Sequence, residues 1–212
     1  TEMSPLGTVS IPKPSMTDEP TRLRKQVKQG RPVFGVEMRI TDDAGKALPH
    51  DGKAFGDLQV RGPWIIDNYF KMEESDAHGG EGWFATGDVA TIDPDGYMEI
   101  TDRSKDVIKS GGEWISSIEI ENLAMSHPDV AQAAVIGIPH PKWDERPLLI
   151  VVPAAGKSPR HADMIAFMTD KLAKWCLPDD TVHVDALPLG ATGKVLKTEL
   201  REQFGDHQLP EA

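Results

Sequence analysis

The sequence has little of several features that mark whole classes of protein. Its 212 residues contain one cysteine, Cys176, which excludes an intrachain disulfide and a cysteine zinc site. The longest apolar run covers residues 148–152, far short of the ~18 residues of a membrane-spanning helix. Basic residues are scarce, with 23 Lys and Arg against 34 Asp and Glu and a net charge of −11. This balance argues against binding to nucleic acid or an anionic membrane, and the lone cysteine predicts a reducing, cytoplasmic location.

The start of the chain also lacks two familiar features. It opens on Thr-Glu-Met-Ser-Pro, with neither an initiator methionine nor the apolar segment of a signal peptide. We therefore expect a fragment or a processed piece of a longer protein. With 39% hydrophobic residues over this length, one or two folded domains are predicted.

Hydrophobic periodicity makes the first half mostly β. Val36, Met38 and Ile40 alternate with polar residues, as in a half-buried strand. The segment Asp-Pro-Asp-Gly at 93–96 separates two further β patterns and predicts a hairpin turn. Residues 5–32 are rich in Pro, Lys and Thr, and are predicted as loop with one helical turn near residues 21–29.

The second half mixes helix and strand patterns. Ser116 and Glu119 fit a capping box that opens a helix to about Ser126. Residues 130–138 and 148–152 are predicted strands, the second of them central because it is apolar throughout. Helical spacing then predicts one helix with Met164, Phe167, Met168, Leu172 and Trp175 on a face, and a last helix with Leu196, Leu200 and Phe204. The fold class is α+β, and the change of pattern falls near residues 102–106.

Lys194 lies in a small-residue segment, Pro-Leu-Gly-Ala-Thr-Gly-Lys, at 188–194. A phosphate-binding P-loop is excluded, since the first glycine of that motif would fall on Pro188 and Val195 follows the lysine where Ser or Thr should bind magnesium. A lysine on a loop ahead of a helix remains, and an ordinary solvated lysine has the same pattern.

Other candidates are equally ambiguous when taken one at a time. Asp88, after Thr-Gly, could accept hydrogen bonds from a sugar diol or be a turn residue. The glycines at 111–112 could allow a ligand close to the backbone or mark a bend, and Trp114 could line a pocket or pack. The seven histidines lack ligand spacing, and the acids at 93 and 95 lack the rest of a calcium loop. Cys176 is interpreted as a core residue rather than a nucleophile.

Four segments, taken in order, resemble the adenylate-forming superfamily of acyl-CoA synthetases, luciferases and peptide-synthetase adenylation domains. They are residues 1–5, 84–88 (Phe-Ala-Thr-Gly-Asp), 102–115 and 188–201. Residues 111–117 and 138–147 are most similar to medium- and long-chain fatty-acyl-CoA ligases and 3-methylmercaptopropionyl-CoA ligases. The resemblance implies that residues 1–103 are the β-rich, barrel-like end of a large domain. Residues 104–212 would be a small, mobile α+β lid that binds AMP.

The resemblance also implies a chemistry. A carboxylic or fatty acid attacks MgATP to give an acyl-adenylate and pyrophosphate, and CoA then displaces AMP to give a thioester. Lys194 would be the catalytic lysine, Glu2 the magnesium ligand, and Thr1 a neighbour of the ATP phosphates. Asp88 and Arg103 would hold the ribose hydroxyls.

Further roles fall on residues 105–114. Lys105 would be the hinge about which the lid rotates between the half-reactions. Lys109 and Trp114 would close over the adenylate or gate the acyl and pantetheine channels. The channel for the pantetheine arm of CoA would be lined by Gly111, Gly112 and Glu113.

The partner implied by the resemblance is an N-terminal region of the same enzyme, with the phosphate loop and most of the acyl pocket. Two alternatives stay open: an adenylation domain that loads a carrier protein, and a non-catalytic nucleotide-binding or complementing module. The identity of the acid and the oligomeric state also stay open, a homodimer being one option.

Overall fold

The structure, a computed structural model, describes residues 2–67, 69 and 80–210. The chain divides into two compact units, Thr1–Lys105 and Asp106–Ala212. Among the described residues, no helix combines the length and the apolar character needed to cross a membrane.

The first unit opens with a small β-ladder around one helix. Strand β1 (Thr8–Val9) pairs antiparallel with β2 (Arg31–Pro32), and helix α1 (Glu19–Gln26) lies between them in the chain. Asp18 caps α1 because its carboxylate accepts a hydrogen bond from the Thr21 N–H at 2.8 Å. The predicted helical turn is thus present, two residues earlier than expected, whereas the two short strands are not evident from the sequence pattern.

The rest of the first unit is a four-stranded antiparallel meander. Its strands, in spatial and chain order, are β3 (Glu37–Thr41), β4 (Phe55–Arg61), β5 (Phe84–Ile92) and β6 (Met98–Arg103). The alternation in β3 and β4 sends Ile40, Leu58 and Val60 into one core. Over the described residues β3 and β6 stand at opposite ends of an open sheet. The barrel-like closure expected from the resemblance is therefore not seen, and the unit is β-rich without a closed barrel.

The turn between β5 and β6 is built around Asp93. Its carboxylate accepts hydrogen bonds from the backbone N–H of Asp95 and of Tyr97, both at 3.0 Å. It also forms an ion pair with Lys25, whose Nζ lies 2.6 Å away. The aspartates at 93 and 95 are thus engaged in a lysine-neutralised hairpin turn, which agrees with the turn interpretation rather than a calcium loop.

The second unit is a sheet covered on both faces. Its elements, in chain order, are β7 (Ile108–Ser110), β8 (Glu113–Ile115), α2 (Ser117–Met125), β9 (Val130–His140), β10 (Asp144–Pro153), α3 (His161–Met168), β11 (Asp180–His183) and α4 (Lys197–Phe204). β10 lies between β9, antiparallel, and β11, parallel. The predicted central position of residues 148–152 is confirmed, because alternate residues of β10 enter two separate cores, Leu149 and Val151 in one, Leu148 and Ile150 in the other.

The predicted helix over residues 164–175 is partly wrong. α3 ends at Met168. The Leu172 N–H still donates to the Met168 carbonyl, but the backbone of Ala173 is extended, so the helix does not continue to Trp175. Met164, Met168 and Leu172 are buried as expected, but Trp175 lies on a separate short turn and its side chain is 44% exposed. Cys176, on the same turn, is buried in the core, and burial raises the pKa of its thiol to about 11.

Candidate active site

Asp88 and Arg103 form an ion pair on the surface of the first unit. They face each other across β5 and β6, and Arg103 Nη1 lies 3.0 Å from Asp88 Oδ1. The side chains are 22% and 52% exposed, so both are accessible to a ligand. A carboxylate can accept several hydrogen bonds, and one oxygen held by arginine leaves capacity for a diol. The structure brings together the two residues that the sequence assigned to the ribose.

A bulge in β5 interrupts its pairing with β4 at Asp88, which still pairs with Arg103 of β6. Asp57 pairs with Val89 and Gln59 with Ala85, so Leu58 is opposed by residues 86–88. Thr86 fixes the bulge, since its hydroxyl donates to the Leu58 carbonyl at 3.1 Å and accepts the Asp88 N–H at 3.2 Å. Gly87 has a φ of +73°, which a glycine adopts at low cost.

The last residues of the first unit are tied to this bulge. Ser104 N–H donates to the Gly87 carbonyl at 3.0 Å, and its hydroxyl donates to Asp57 Oδ1 at 2.5 Å. Lys105, the predicted hinge, follows directly as the final residue of this unit.

Glu2 begins the described chain, and Thr1 lies outside the described residues. The Glu2 carbonyl accepts the Ile66 N–H at 3.0 Å, which holds this segment against residues 65–66. Tyr69 Oη lies 3.4 Å from Glu2 Oε1. A backbone hydrogen bond lowers the pKa of Glu2, so its carboxylate is charged at neutral pH. Within the described part of the chain, no group of three or more His, Cys, Asp or Glu side chains could hold a metal.

In the second unit, β7 and β8 bring Lys109 and Trp114 together. The two residues are cross-strand partners, and Lys109 Nζ lies 4.9 Å from the centre of the Trp114 ring. The Lys109 backbone N–H donates to Glu145 Oε2 at 2.9 Å, which fixes the hairpin against β10. This hairpin was not predicted as such, since the glycines at its turn were interpreted as a bend or a channel.

The two glycines of that turn have different surroundings. Gly111 has a φ of +60° and donates its N–H to the Trp143 carbonyl at 2.9 Å. A Cβ at Gly111 would lie 2.8 Å from Cε3 of Trp143, a contact too close to keep. Gly112 has a φ of +86°, and a Cβ there would meet no atom within 4 Å. Trp143 therefore favours glycine at 111, since a larger residue would have to displace its ring, while the space above 112 is open.

A pocket of about 320 Å³ adjoins this turn. We call it the ring pocket, and its lining residues are Ser110, Gly111, Glu113, Trp143, Arg146, Trp175 and Asp179. Trp143 and Trp175 are 40% and 44% exposed and are two apolar walls. Sequence reasoning assigned no role to either tryptophan, although Trp143 lies in a segment that carried part of the resemblance.

Arg146 holds the ring pocket together. Its guanidinium binds Asp179 through Nε at 3.0 Å and Nη2 at 2.6 Å, and Nη1 donates to Ser110 Oγ at 3.1 Å. Nη1 also donates to the Trp175 carbonyl at 2.7 Å. The side chain is 12% exposed, so this arginine ties its own strand to Ser110 and to residues 175–179 rather than offering its charge to solvent.

Lys194 is presented by a tight hairpin. Leu189 bridges to Val195, and Gly190 N–H donates to the Lys194 carbonyl at 2.8 Å. Gly193 has a φ of +76°, a conformation that suits glycine immediately before the lysine. Lys194 itself is exposed. Of the predicted site residues, the first unit thus holds Glu2, Asp88, Arg103 and Lys105, and the second holds the rest that the structure describes.

Comparison with known proteins places these residues in context. Residues 119–194 match the model of the AMP-binding enzyme C-terminal domain. The chain is 59% identical over 209 residues to a 3-methylmercaptopropionyl-CoA ligase of Ruegeria lacuscaerulensis, covering 97% of the chain and 38% of that ligase. It is 48% identical over 210 residues to a medium-chain-fatty-acid–CoA ligase of Ectopseudomonas oleovorans, with the same two coverages.

A solved structure agrees with these relatives. The chain is similar to o-succinylbenzoate CoA synthetase from Bacillus subtilis in complex with ATP and magnesium ion, with a TM-score of 0.73 and 31% identity. The match covers 84% of this chain and 36% of that protein. The chain therefore spans little more than a third of the length of the curated relatives it matches.

Proposed function

We propose that this chain is the C-terminal part of an adenylate-forming enzyme, with the AMP-binding C-terminal domain that residues 119–194 match, and that the whole protein is an AMP-forming acyl-CoA ligase. It converts a carboxylic acid, ATP and CoA into acyl-CoA, AMP and pyrophosphate through an acyl-adenylate. The observation that carries the proposal is the position of Lys194. It is exposed on a hairpin in which Gly193 has a positive φ, and it is the last residue of the matched domain.

Lys194 is the catalytic residue of the first half-reaction. A carboxylate and the α-phosphate of ATP repel each other, so a cation between them lowers the energy of the adenylation transition state. A lysine on a short exposed loop is suited to this role, since its compact charge lies at the end of a flexible stem.

Asp88 and Arg103 bind the ribose of the nucleotide. Arg103 holds one Asp88 oxygen at 3.0 Å and so orients the carboxylate toward a diol. The bulge at residues 86–88 supports this role, since it takes Asp88 out of the regular pairing with β4 while the pairing with β6 keeps it opposite Arg103.

Glu2 is the chain's proposed magnesium ligand. A charged carboxylate with a lowered pKa fits a cation that is commonly held by one or two carboxylates together with substrate phosphates. Magnesium, when bound, would polarise the phosphate oxygens and neutralise charge on the pyrophosphate leaving group. Thr1 is proposed to lie beside those phosphates.

The second half-reaction uses the turn at Gly111 and Gly112. Open space above Gly112 and the adjoining ring pocket support a channel for the pantetheine arm along Gly111, Gly112 and Glu113. Lys109, paired with Trp114, is proposed to cover the adenylate from the same hairpin.

Lys105 is the proposed hinge of a mobile lid formed by the second unit. The division of the chain between Lys105 and Asp106 supports this position, because a torsional change there leaves both compact units intact. By rotating at this hinge, the second unit presents Lys194 to the nucleotide in adenylation and the turn at Gly112 in thioester formation.

The test is Lys194→Ala in the whole protein. Adenylation, measured as acid-dependent ATP–pyrophosphate exchange, should fall about 100-fold or more, since one preorganised charge at the transition state is removed. Thioester formation from supplied acyl-adenylate should change little. Lys157→Ala is the matched control, because Lys157 is a surface lysine of the same unit in an exposed pair with Asp129. Equal losses in both half-reactions would contradict the assigned role.

A further inference from the structure

We propose that Arg201 and Asp106 are positioning residues whose ion pair carries the movement of the hinge to the Lys194 loop. Arg201 Nη2 lies 2.7 Å from Asp106 Oδ1, although 95 positions separate the two residues in sequence. The Asp106 side chain is 12% exposed and that of Arg201 is 32% exposed, so the pair is partly buried, more so on the aspartate side. Asp106 is the first residue of the second unit and follows Lys105 directly. This inference rests on the proposed function.

Lys194 is joined by a short, hydrogen-bonded connection to helix α4, which carries Arg201. Val195 bridges to Leu189, and Leu196 N–H donates to the Pro188 carbonyl at 2.8 Å. Helix α4 begins at the next residue, Lys197. The loop bearing Lys194 and the first turn of α4 are therefore one continuous hydrogen-bonded segment, and a shift of α4 displaces the lysine.

The start of α4 is held by a second charged contact. Lys197 Nζ lies 2.7 Å from Glu121 Oε1 and 2.6 Å from Ser117 Oγ, and its side chain is 12% exposed. A lysine in the first turn of a helix is disfavoured by the helix dipole, so the partners on α2 must offset that cost. Leu200, fully buried one turn later, packs α4 on the sheet. These contacts fix α4 to the rest of the second unit, and Arg201 fixes it to Asp106, the residue next to the proposed hinge.

The residue on the other side of Lys105 is also anchored. Ser104 is tied to Gly87 and Asp57 within the first unit, and Asp106 is tied to Arg201 within the second. A change in the backbone torsions of Lys105 therefore acts at once on Asp106. Through Arg201 it also acts on α4 and on Lys194, so that the lysine moves with its unit rather than lagging behind it.

A purely structural ion pair and a positioning pair predict different kinetics. If the pair only stabilises the fold, its loss lowers the melting temperature and affects both half-reactions alike. If it positions Lys194, its loss affects adenylation alone, because a displacement of about 1 Å at a catalytic group can cost up to about 100-fold in rate. The binding of ATP should change little, since the lysine acts chiefly in the transition state.

The experiment compares Arg201→Gln, Asp106→Asn and Arg201→Lys in the whole protein. We expect kcat for pyrophosphate exchange to fall about tenfold or more in the first two, with KM for ATP within about twofold. Thioester formation from supplied acyl-adenylate should stay within about twofold, and Arg201→Lys should restore most of the exchange rate. The double variant Arg201→Gln with Asp106→Asn should be no worse than either single variant. Arg160→Gln is the matched control, since Arg160 makes an exposed pair with Asp163 in the same unit.

Two results would overturn the inference: unchanged pyrophosphate exchange in both Arg201→Gln and Asp106→Asn, or equal losses in the two half-reactions. If Arg201→Gln fails to fold by circular dichroism, Asp106→Asn and Arg201→Lys carry the same comparison, because the first keeps the shape of Asp106 without its charge and the second keeps the charge of Arg201. A wild-type protein without acid-dependent exchange would instead refute the proposed function itself, which separates the two failures.

Discussion

A single methyl group added at Gly111 should disturb the ring pocket, whereas the same group at Gly112 should not. Both glycines have a positive φ, so each alanine variant bears a left-handed backbone strain of about 1–2 kcal/mol. Only at Gly111 does the new Cβ meet an obstacle, Cε3 of Trp143 at 2.8 Å. The difference between the two variants therefore isolates the contact with Trp143.

The size of that difference follows from how easily the ring can move. Forcing an extra methyl group into a packed site costs about 1–3 kcal/mol. The Trp143 side chain is 40% exposed, so its ring can shift outward, and the low end of the range applies. We expect Gly111→Ala to lower the free energy of unfolding by about 1 kcal/mol more than Gly112→Ala does.

Urea denaturation of the chain, followed by tryptophan fluorescence and circular dichroism, measures this gap. Trp143→Leu completes a double-mutant cycle. In that background the two alanine variants should lower the free energy of unfolding equally. Equal losses of stability from both variants, with Trp143 present, would refute the reasoning.

Three further predictions concern the hinge, the β5–β6 turn and the chain by itself. Lys105→Pro in the whole protein should spare pyrophosphate exchange and impair thioester formation, because proline fixes φ at the hinge; normal rates in both would contradict this. Burial opposes the charged form of Asp93, but hydrogen bonds from Lys25 and Tyr97 N–H hold its pKa below the usual value. The stability that results from this lowered pKa is present above about pH 4 and is lost as the pH falls through that pKa. Between about pH 5 and 2, the urea midpoint of Asp93→Asn should therefore depend less on pH than that of the wild type. The 212-residue chain alone should give a folded circular-dichroism spectrum and no acid-dependent pyrophosphate release, because it contains no glycine-rich loop for the β- and γ-phosphates.

The pairing of Asp88 with Arg103 shows how far the sequence can predict a site. The hairpin turn at 93–96 was evident, and Ile92 pairs with Met98 beside it. Counting outward from that pair would place Asp88 opposite Asp102, a repulsive partner. A bulge between Val89 and Ala90 shifts the register by one, so that Arg103 faces Asp88 instead. The residue types could be predicted from the motifs, but the register depends on an irregularity that propensity does not encode.

The ring pocket could not be predicted, for a different reason. Its walls come from three segments far apart in sequence, around Gly111, Trp143 and Trp175. Helical spacing favoured placing Trp175 on the buried face of one long helix, yet the chain leaves that helix after Met168. Tertiary contacts, chiefly those of Arg146, decided the outcome over the local pattern.

The arrangement around Arg146 divides the ring pocket into a part that can vary and a part that cannot. The two tryptophans are partly exposed and contribute surface, so substitutions there change shape and chemistry while the backbone keeps its course. Arg146, by contrast, bonds to Ser110 and to the segment from Trp175 to Asp179, so its replacement would release both from its own strand together. A library aimed at reshaping the ring pocket should accordingly randomise Trp143 and Trp175 and hold Arg146 and Asp179 constant.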